Sequence, residues 1–380
     1  MKEKTIKIFK ANLIKIFFVF FVVIVLFFIG YFLSSKFFIV KFVAVSKTSD
    51  LKKEVLHIKT PPAVRALYMT SCVGASKKLR NNLVQILKDT EANSLVLDIK
   101  DYSGTISIPL GDSVKNWEKN NCFMSDVKDF IKELHKNDIY VIGRITVFQD
   151  PYYAKLFPEL AVKKKSDGSV WKDRKGLSFI DVSAKPYWDH IVAIGKESFE
   201  TGFDELNFDY IRFPSDGNME DIAYPWTGKV EKKEALRQFF GYLHKHFRET
   251  GAIISADLFG MTTTNKDDLN IGQYLEFALP YFDYIAPMVY PSHYPPNWNG
   301  YIEPEAKPYE VIKYSMDKAV ERASTTPLKI RPWLQDFGLR VKYDEKMVRA
   351  QIQAVYDSGL NSWMLWSPSN RYTVKALNKE

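Results

Sequence analysis

From residue 60 onward the chain repeats one event. A short apolar, β-branched run ends in polar or aromatic residues and is followed by an amphipathic helical pattern. Eight such runs are legible: VRALYM (64–69), SLVLDI (94–99), YVIGRI (140–145), FDELNFD (203–209), AIISAD (252–257), YIAPMV (284–289), KIRPWL (329–334) and SWMLW (362–366). Between them, stretches such as KKLRNNLVQILKDTEA and EKMVRAQIQAVYDSG carry apolar residues at helical spacing, and several close on Gly or Asn. Strands alternating with helices predict a parallel sheet, and eight of them predict a closed (β/α)8 TIM barrel over residues 63–380. The interval between the third and fourth strands is about twice the usual thirty residues. It holds a long aromatic and charged loop, 149–186, of the kind that builds the C-terminal face of a barrel. Little chain follows the eighth strand, so the eighth helix is expected to be short or missing. A doubly wound open sheet is the alternative, but no Gly-rich turn follows the first strand.

Ahead of this pattern lies IFFVFFVVIVLFFIGYFL, residues 16–33, which carries no charge. At about 1.5 Å per residue it is long enough to cross most of a hydrocarbon core of about 30 Å. The expectation is a transmembrane helix within residues 1–45, followed by a polar spacer over 46–62. Five Lys precede the apolar run, which places the N-terminus in the cytoplasm and the barrel domain outside it, at the cell membrane. A cleaved signal peptide is the alternative. The formal net charge is +8, but +6 of it falls within the first 41 residues. The basicity thus belongs to the expected anchor and its lipid bilayer, and no nucleic-acid partner is expected. Cys72 and Cys122 are too few for a disulfide scaffold; a single disulfide and two unrelated buried thiols are both open.

Barrel strands are normally apolar on both faces, so polar residues at their C-terminal ends need a reason. The second strand carries Asp98 and Lys100 on one face, and the third carries Arg144. The fourth carries Asn207 and Asp209 with Arg212 just beyond, and the fifth carries Asp257. Tyr290 and His293 follow the sixth; Trp333, Gln335 and Asp336 end the seventh; Trp366 ends the eighth. One such residue is ordinarily an ion pair or a cap. Burying the whole set without a purpose would cost several kcal/mol of desolvation, an objection that an open polar site removes.

Glycoside hydrolysis needs two carboxyl groups flanking one bond, and Asp209 and Asp257 end neighbouring strands. Tyr290, Trp333 and Trp366, with Trp171, Trp226 and Trp298 in the loops, offer apolar faces for sugar rings. A metal site is poorly supported, since His244 and His246 have the wrong helical spacing and His293 stands alone. No G-x-S-x-G and no glycine-rich phosphate loop occurs, and no cofactor is expected.

The segments LVLDIKDYSG, GRITVFQDP, GFDELNFDYIRFPSDG, ISADLFG, PMVYPSHY and RPWLQDF resemble, in that order, the strand-end signatures of a bacterial family of glycoside hydrolase domains. More distantly, GFDELNFD resembles the fourth-strand pattern of the α-amylase clan, where the last Asp is the nucleophile. That resemblance implies a nucleophilic Asp209, with Asn207 standing where the clan has Arg. It implies the acid/base role for Asp257, where the clan has Glu, and loosely matches Asp336 to the clan's third carboxylate.

The expectation is a membrane-anchored, extracytoplasmic glycoside hydrolase acting on a polysaccharide or envelope glycan. Asp209 and Asp257 are its catalytic pair. Asp98, Lys100, Arg144, Asn207, Arg212, Tyr290, His293, Trp333, Gln335, Asp336 and Trp366 line its substrate site. The alternatives are a non-catalytic glycan-binding barrel, or an envelope assembly protein that uses loop 149–186.

Overall fold

The structure is a computed structural model that describes residues 19–29 and 57–378. The chain divides into an N-terminal unit ending at Glu54 and a larger unit, Val55–Glu380. In the first, residues 19–29 form a helix. No helix among the described residues is long and apolar enough to cross a membrane. The expected span extends to residues 16–18 and 30–33, which lie outside the described residues, as does most of the 46–62 spacer.

The larger unit is a closed barrel of eight parallel strands, a (β/α)8 arrangement. The strands are β1 (Arg65–Met69), β2 (Ser94–Lys100), β3 (Tyr140–Thr146), β4 (Glu205–Asp209), β5 (Ile253–Phe259), β6 (Tyr284–Met288), β7 (Trp333–Gln335) and β8 (Trp363–Trp366). They neighbour one another in chain order, and β1 closes the ring on β8 through the register Ala66 to Met364. The order follows from right-handed crossovers, each of which lays the next strand beside the last. The eight expected runs coincide with the eight strands. The seventh is displaced: only Trp333–Gln335 is regular strand, with Ile330 joined to Ile285 by an isolated bridge.

The helices form because their apolar positions recur at 3.6-residue spacing. In the helix Lys77–Asp89, Arg80, Leu83, Val84 and Leu87 are buried, a stripe at i, i+3, i+4 and i+7. Val127, Phe130, Ile131 and Leu134 repeat the pattern in Val127–His135. Arg80 joins such a stripe because Asp126 accepts from it at 2.9 and 2.7 Å. After β5 the helix shrinks to Leu275–Ala278, and after β8 only the 3₁₀ turn Val374–Ala376 follows among the described residues.

Two apolar environments result. The larger lies between barrel and helices; the smaller fills the barrel itself with residues such as Ala66, Val96, Ile142, Ala286 and Met364. The long loop after β3 begins with the helix Pro151–Leu156, capped by the Asp150 side chain accepting from the Tyr153 amide at 2.8 Å. Its two-residue strand Lys163–Lys164 pairs antiparallel with Ile222–Ala223 of the loop after β4. Trp171 is sealed beneath this ribbon with Val162, Phe179 and Ile222, donating its indole N–H to the Asn218 carbonyl at 2.9 Å. It is therefore loop core and offers no sugar platform. Cys72, after β1, and Cys122, after β2, are joined as a disulfide with Cα atoms 4.5 Å apart.

Candidate active site

Along β4 the inward positions are Glu205, Asn207 and Asp209, two residues apart, so each enters a successive layer of the barrel. At the floor, Arg331 donates to both oxygens of Glu205 at 2.9 and 3.0 Å. Glu205 also accepts from Ser255 at 2.6 Å and from Tyr140 at 3.2 Å. All four side chains are buried, and the ion pair serves the barrel's packing. One layer up, Asn207 donates to Ser255 Oγ at 3.1 Å and to Asp257 Oδ1 at 2.8 Å.

The top layer holds the carboxylates. Sheet register sets Arg144 of β3 beside Asp98 of β2, and Thr146 beside Asp209 of β4. Arg144 donates to Asp98 Oδ1 at 2.7 Å through Nη1. It donates to Asp209 Oδ2 through Nε at 3.0 Å and also through Nη2. The same Nε lies 3.9 Å from Asp257 Oδ2. One guanidinium thus faces three carboxyl groups. Tyr68 completes the set, donating its hydroxyl to Asp98 Oδ2 at 2.5 Å.

The charges are not equivalent. Asp257 Oδ1 accepts two hydrogen bonds, from Asn207 and from the indole of Trp333, each at 2.8 Å. Its carboxyl is nevertheless pushed well above the ordinary range, first by burial and then by the negative charge of Asp209. With Oδ1 committed as an acceptor, the proton belongs on Oδ2. Burial raises Asp98 as well, against the pull of Arg144. Burial works against the Arg144 cation, but Asp209 and Asp98 outweigh it and hold the guanidinium charged.

Above this layer opens a cavity of about 340 Å³, lined by Arg144, Asp209, Asp257, Arg212, Tyr290, His293, Trp333 and Trp366 among others. Its aromatic wall is built from the strand ends. Trp366 stacks on Tyr68 with ring centroids 3.9 Å apart, and Trp333 meets Trp366 edge-on at 5.7 Å. Tyr290 packs edge-on against His293 and Phe337. Burial, with Arg340 nearby, pulls His293 below the usual imidazole value, favouring the neutral ring. Tyr210, directly after Asp209, adopts a left-handed backbone with φ of 51°. For a bulky residue that conformation is strained. It brings the Tyr210 amide onto Asp209 Oδ1 at 2.6 Å, fixing the second carboxylate oxygen.

Of the expected site residues, the structure brings together at the cavity Asp209, Asp257, Arg144, Arg212, Tyr290, His293, Trp333 and Trp366. Asp98 and Asn207 lie beneath it as supports for Arg144 and Asp257. Three expected contacts fall elsewhere. The β2–β3 register shifts between Asp98 and Lys100, breaking the shared face expected for those two residues. Lys100 is instead buried on Asp150 Oδ2 at 2.9 Å and on the Thr146 carbonyl at 2.8 Å. Gln335 is spent on Glu305 at 3.1 Å and on the Phe337 carbonyl at 2.7 Å. Asp336 accepts from the amide and hydroxyl of Thr373, both at 2.7 Å, and so fastens the C-terminal segment. Tyr68, Phe259, Met261, Gln273 and Met288 were not expected at or beneath the cavity. Tyr68 alone had a usable signal, since it shares the inward parity of Ala66 on β1. Among the described residues no group of three or more His, Cys, Asp or Glu is placed to hold a metal ion.

Residues 66–372 match a family described as "Putative glycosyl hydrolase domain". A hypothetical protein from Ruminiclostridium thermocellum ATCC 27405 is 32% identical, over 54% of this chain and 98% of its own, with a TM-score of 0.44. The PgaB (BpsB) glycoside hydrolase domain from Bordetella bronchiseptica is similar at 13% identity, covering 84% of this chain and 100% of its own, with a TM-score of 0.62. Alpha-L-fucosidase isoenzyme 2 from Paenibacillus thiaminolyticus is similar at 12% identity, over 83% of this chain and 48% of its own, with a TM-score of 0.57. At 13% and 12% identity the likeness is one of fold. No curated protein sequence matches the chain.

Proposed function

The chain belongs to this glycosyl hydrolase domain family, and we propose from that premise that the Asp209–Asp257 pair cleaves a glycosidic bond in an envelope polysaccharide or glycan. The observation that carries the proposal is the asymmetry of two carboxyl groups sharing Arg144. Asp257 is held protonated by burial and by its neighbour's charge, whereas Asp209 is bound by two N–H groups of the guanidinium. That is the division of labour a glycosidase needs, one acid and one anion across a single bond.

In this mechanism the sugar ring lies against Trp366 and Tyr290, with the glycosidic oxygen toward Asp257. Asp257 Oδ2 gives its proton to the leaving oxygen as the bond breaks. Asp209 meets the developing positive charge on the anomeric carbon, either attacking it to form a glycosyl ester that water then hydrolyses with the deprotonated Asp257 as base, or taking a proton from a water that attacks the carbon directly. Both Oδ2 atoms lie within hydrogen-bonding or near-contact distance of the Arg144 Nε, which keeps them within roughly 7 Å of each other, compatible with either stereochemical course. Arg144 also links Asp209 to Asp98 and Tyr68, which fixes its direction.

The apolar run at 16–33 and the Lys-rich stretch before it support a membrane anchor with a cytoplasmic N-terminus and an extracytoplasmic barrel. The Cys72–Cys122 disulfide suits that oxidising side.

The test is reducing-end release from a panel of envelope polysaccharides by the full-length protein, beside Asp209→Asn and Asp257→Asn. The expected result is hydrolysis by the parent that falls at least about a hundredfold in each folded variant. Glycan binding with no release by any of the three would replace the hydrolase with a binding barrel.

A further inference from the structure

The cavity contains a second guanidinium, and among the described residues no carboxylate is in hydrogen-bond or ion-pair contact with it. Arg144 is committed to Asp98 and Asp209, but Arg212, on the loop after β4, forms no ion pair among the described residues. Only its Nη1 is bonded, to the Phe213 carbonyl at 3.0 Å and the Ser215 hydroxyl at 3.2 Å. Nε and Nη2, the other edge of the fork, have no hydrogen-bond partner among the described residues, and the side chain remains partly exposed at the cavity wall.

Arg212 is nonetheless held in place. Its guanidinium carbon lies 5.0 Å from the ring centroid of Phe259, 5.2 Å from that of Tyr210 and 5.7 Å from that of Phe179. Three aromatic rings and two hydrogen bonds leave the long side chain little freedom, so little ordering entropy is lost when a ligand arrives. A fixed cation with one open edge is a poor device for stability: burial pulls the guanidinium below the usual arginine value despite attraction from Tyr210, Asp209, Asp216 and Asp173, none of which is in ion-pair contact with it. It is a good receptor for a planar anion, since two parallel N–H groups match the two oxygens of a carboxylate. A doubly charged phosphate would fit the same fork, but Asp209 on the neighbouring wall favours the singly charged group.

We propose that Arg212 recognises a carboxylate on the sugar bound in this cavity, so that the glycan hydrolysed is an acidic one, carrying uronic acid or an equivalent carboxylated residue. The proposal rests on the hydrolase reading above and adds the substrate class. The acidic residue sits on the β4–β5 side of the mouth, beside the bond that Asp209 and Asp257 flank.

The experiment compares polygalacturonate, alginate and hyaluronan, each native and after chemical reduction of its carboxyl groups to alcohols, with the full-length protein. Reducing-end release and affinity by calorimetry are both measured. The parent is expected to prefer at least one native polymer over its reduced form by roughly ten- to a hundredfold, the worth of a charge-assisted pair. Arg212→Gln should bring that ratio toward one, and Arg212→Lys should restore part of it, since an ammonium keeps the charge but loses the fork. Thermal melts confirm that both variants fold. Preferential cleavage of reduced polymers, or a preference for native polymer that survives in Arg212→Gln, overturns the proposal and leaves the hydrolase standing. If none of these polymers is cleaved while a neutral envelope polysaccharide is, the acidic-substrate proposal fails and the hydrolase stands; if neutral polysaccharides are not cleaved either, the hydrolase reading fails, and the affinity ratio alone decides whether Arg212 reads a carboxylate. Equal affinity for native and reduced polymers in the parent then overturns it.

Discussion

Arg144 Nε lies 3.0 Å from Asp209 Oδ2, and the same nitrogen lies 3.9 Å from Asp257 Oδ2. The first contact is a hydrogen bond and the second is too long to be one. A single atom thus distinguishes two carboxyl groups that end adjacent strands. Asp209 receives the cation directly, while Asp257 is left with neutral donors and a raised affinity for its proton.

Removing that cation should therefore do more than weaken binding. Arg144→Ala leaves Asp98 and Asp209 buried without their counter-charge, which costs on the order of 3–5 kcal/mol. The expected outcome is a markedly lower melting temperature together with loss of hydrolysis. Adding Asp98→Asn should recover part of the stability, because one of the stranded charges is gone. A melting temperature unchanged in Arg144→Ala would contradict the arrangement.

Asp257 predicts a pH signature with a definite sign. Between about pH 4, where an ordinary carboxyl ionises, and its own raised value, the folded chain keeps a proton that the unfolded chain has released. Linkage then makes stability fall as pH rises through that window. Asp257→Asn cannot ionise, so the difference between parent and variant melting curves should move in the variant's favour with rising pH. Hydrolysis by the parent should decline as Asp257 loses its proton. A parent whose stability relative to the variant increases over this range would refute the raised value.

Lys100 is expected to behave as a structural residue. Lys100→Met strands Asp150, which also caps the helix Pro151–Leu156 and accepts from Tyr187 at 2.7 Å. Thermal melts should show a loss on the order of 3–5 kcal/mol. Lys100→Met paired with Asp150→Asn should lose less than Lys100→Met alone. A rise in KM with unchanged stability would return Lys100 to the substrate site.

The disulfide spans a separation of 50 residues, between the loops after β1 and β2. Closing a loop of that length constrains the unfolded chain by about 4 kcal/mol in the chain-entropy picture. Cys72→Ser with Cys122→Ser, or reduction of the parent, should lower the melting temperature while the affinity of the folded protein for glycan stays the same. Melts that do not respond to reductant would show that the bridge adds nothing.

The architecture was written locally. Each strand is a short apolar run and each helix a stripe at 3.6-residue spacing, and both depend on residues close together in the chain. For that reason seven of the eight runs coincide with strands and the seventh overlaps its strand only at Trp333 and Leu334, and Glu205, Asn207 and Asp209 share the inward face that their spacing implies. Placing carboxyl groups at the ends of β4 and β5 needed only the period of a strand and the order of the barrel.

What each polar side chain does at those ends is a different kind of fact. Lys100, Gln335 and Asp336 occupy the positions expected of site residues, yet each turns to a partner supplied by another loop: Asp150, Glu305 and Thr373. Arg144 could have served any neighbouring carboxylate; strand register sets it beside Asp98, and its side chain reaches on to Asp209, two residues beyond its register partner Asn207. Trp171 reads as a surface aromatic until the ribbon between two loops covers it. The barrel and the position of each polar residue at its C-terminal face are legible in the chain, because those follow from local periodicity. Which of them face the cavity depends on how distant segments pack, since a long polar side chain goes to whichever distant group relieves its desolvation.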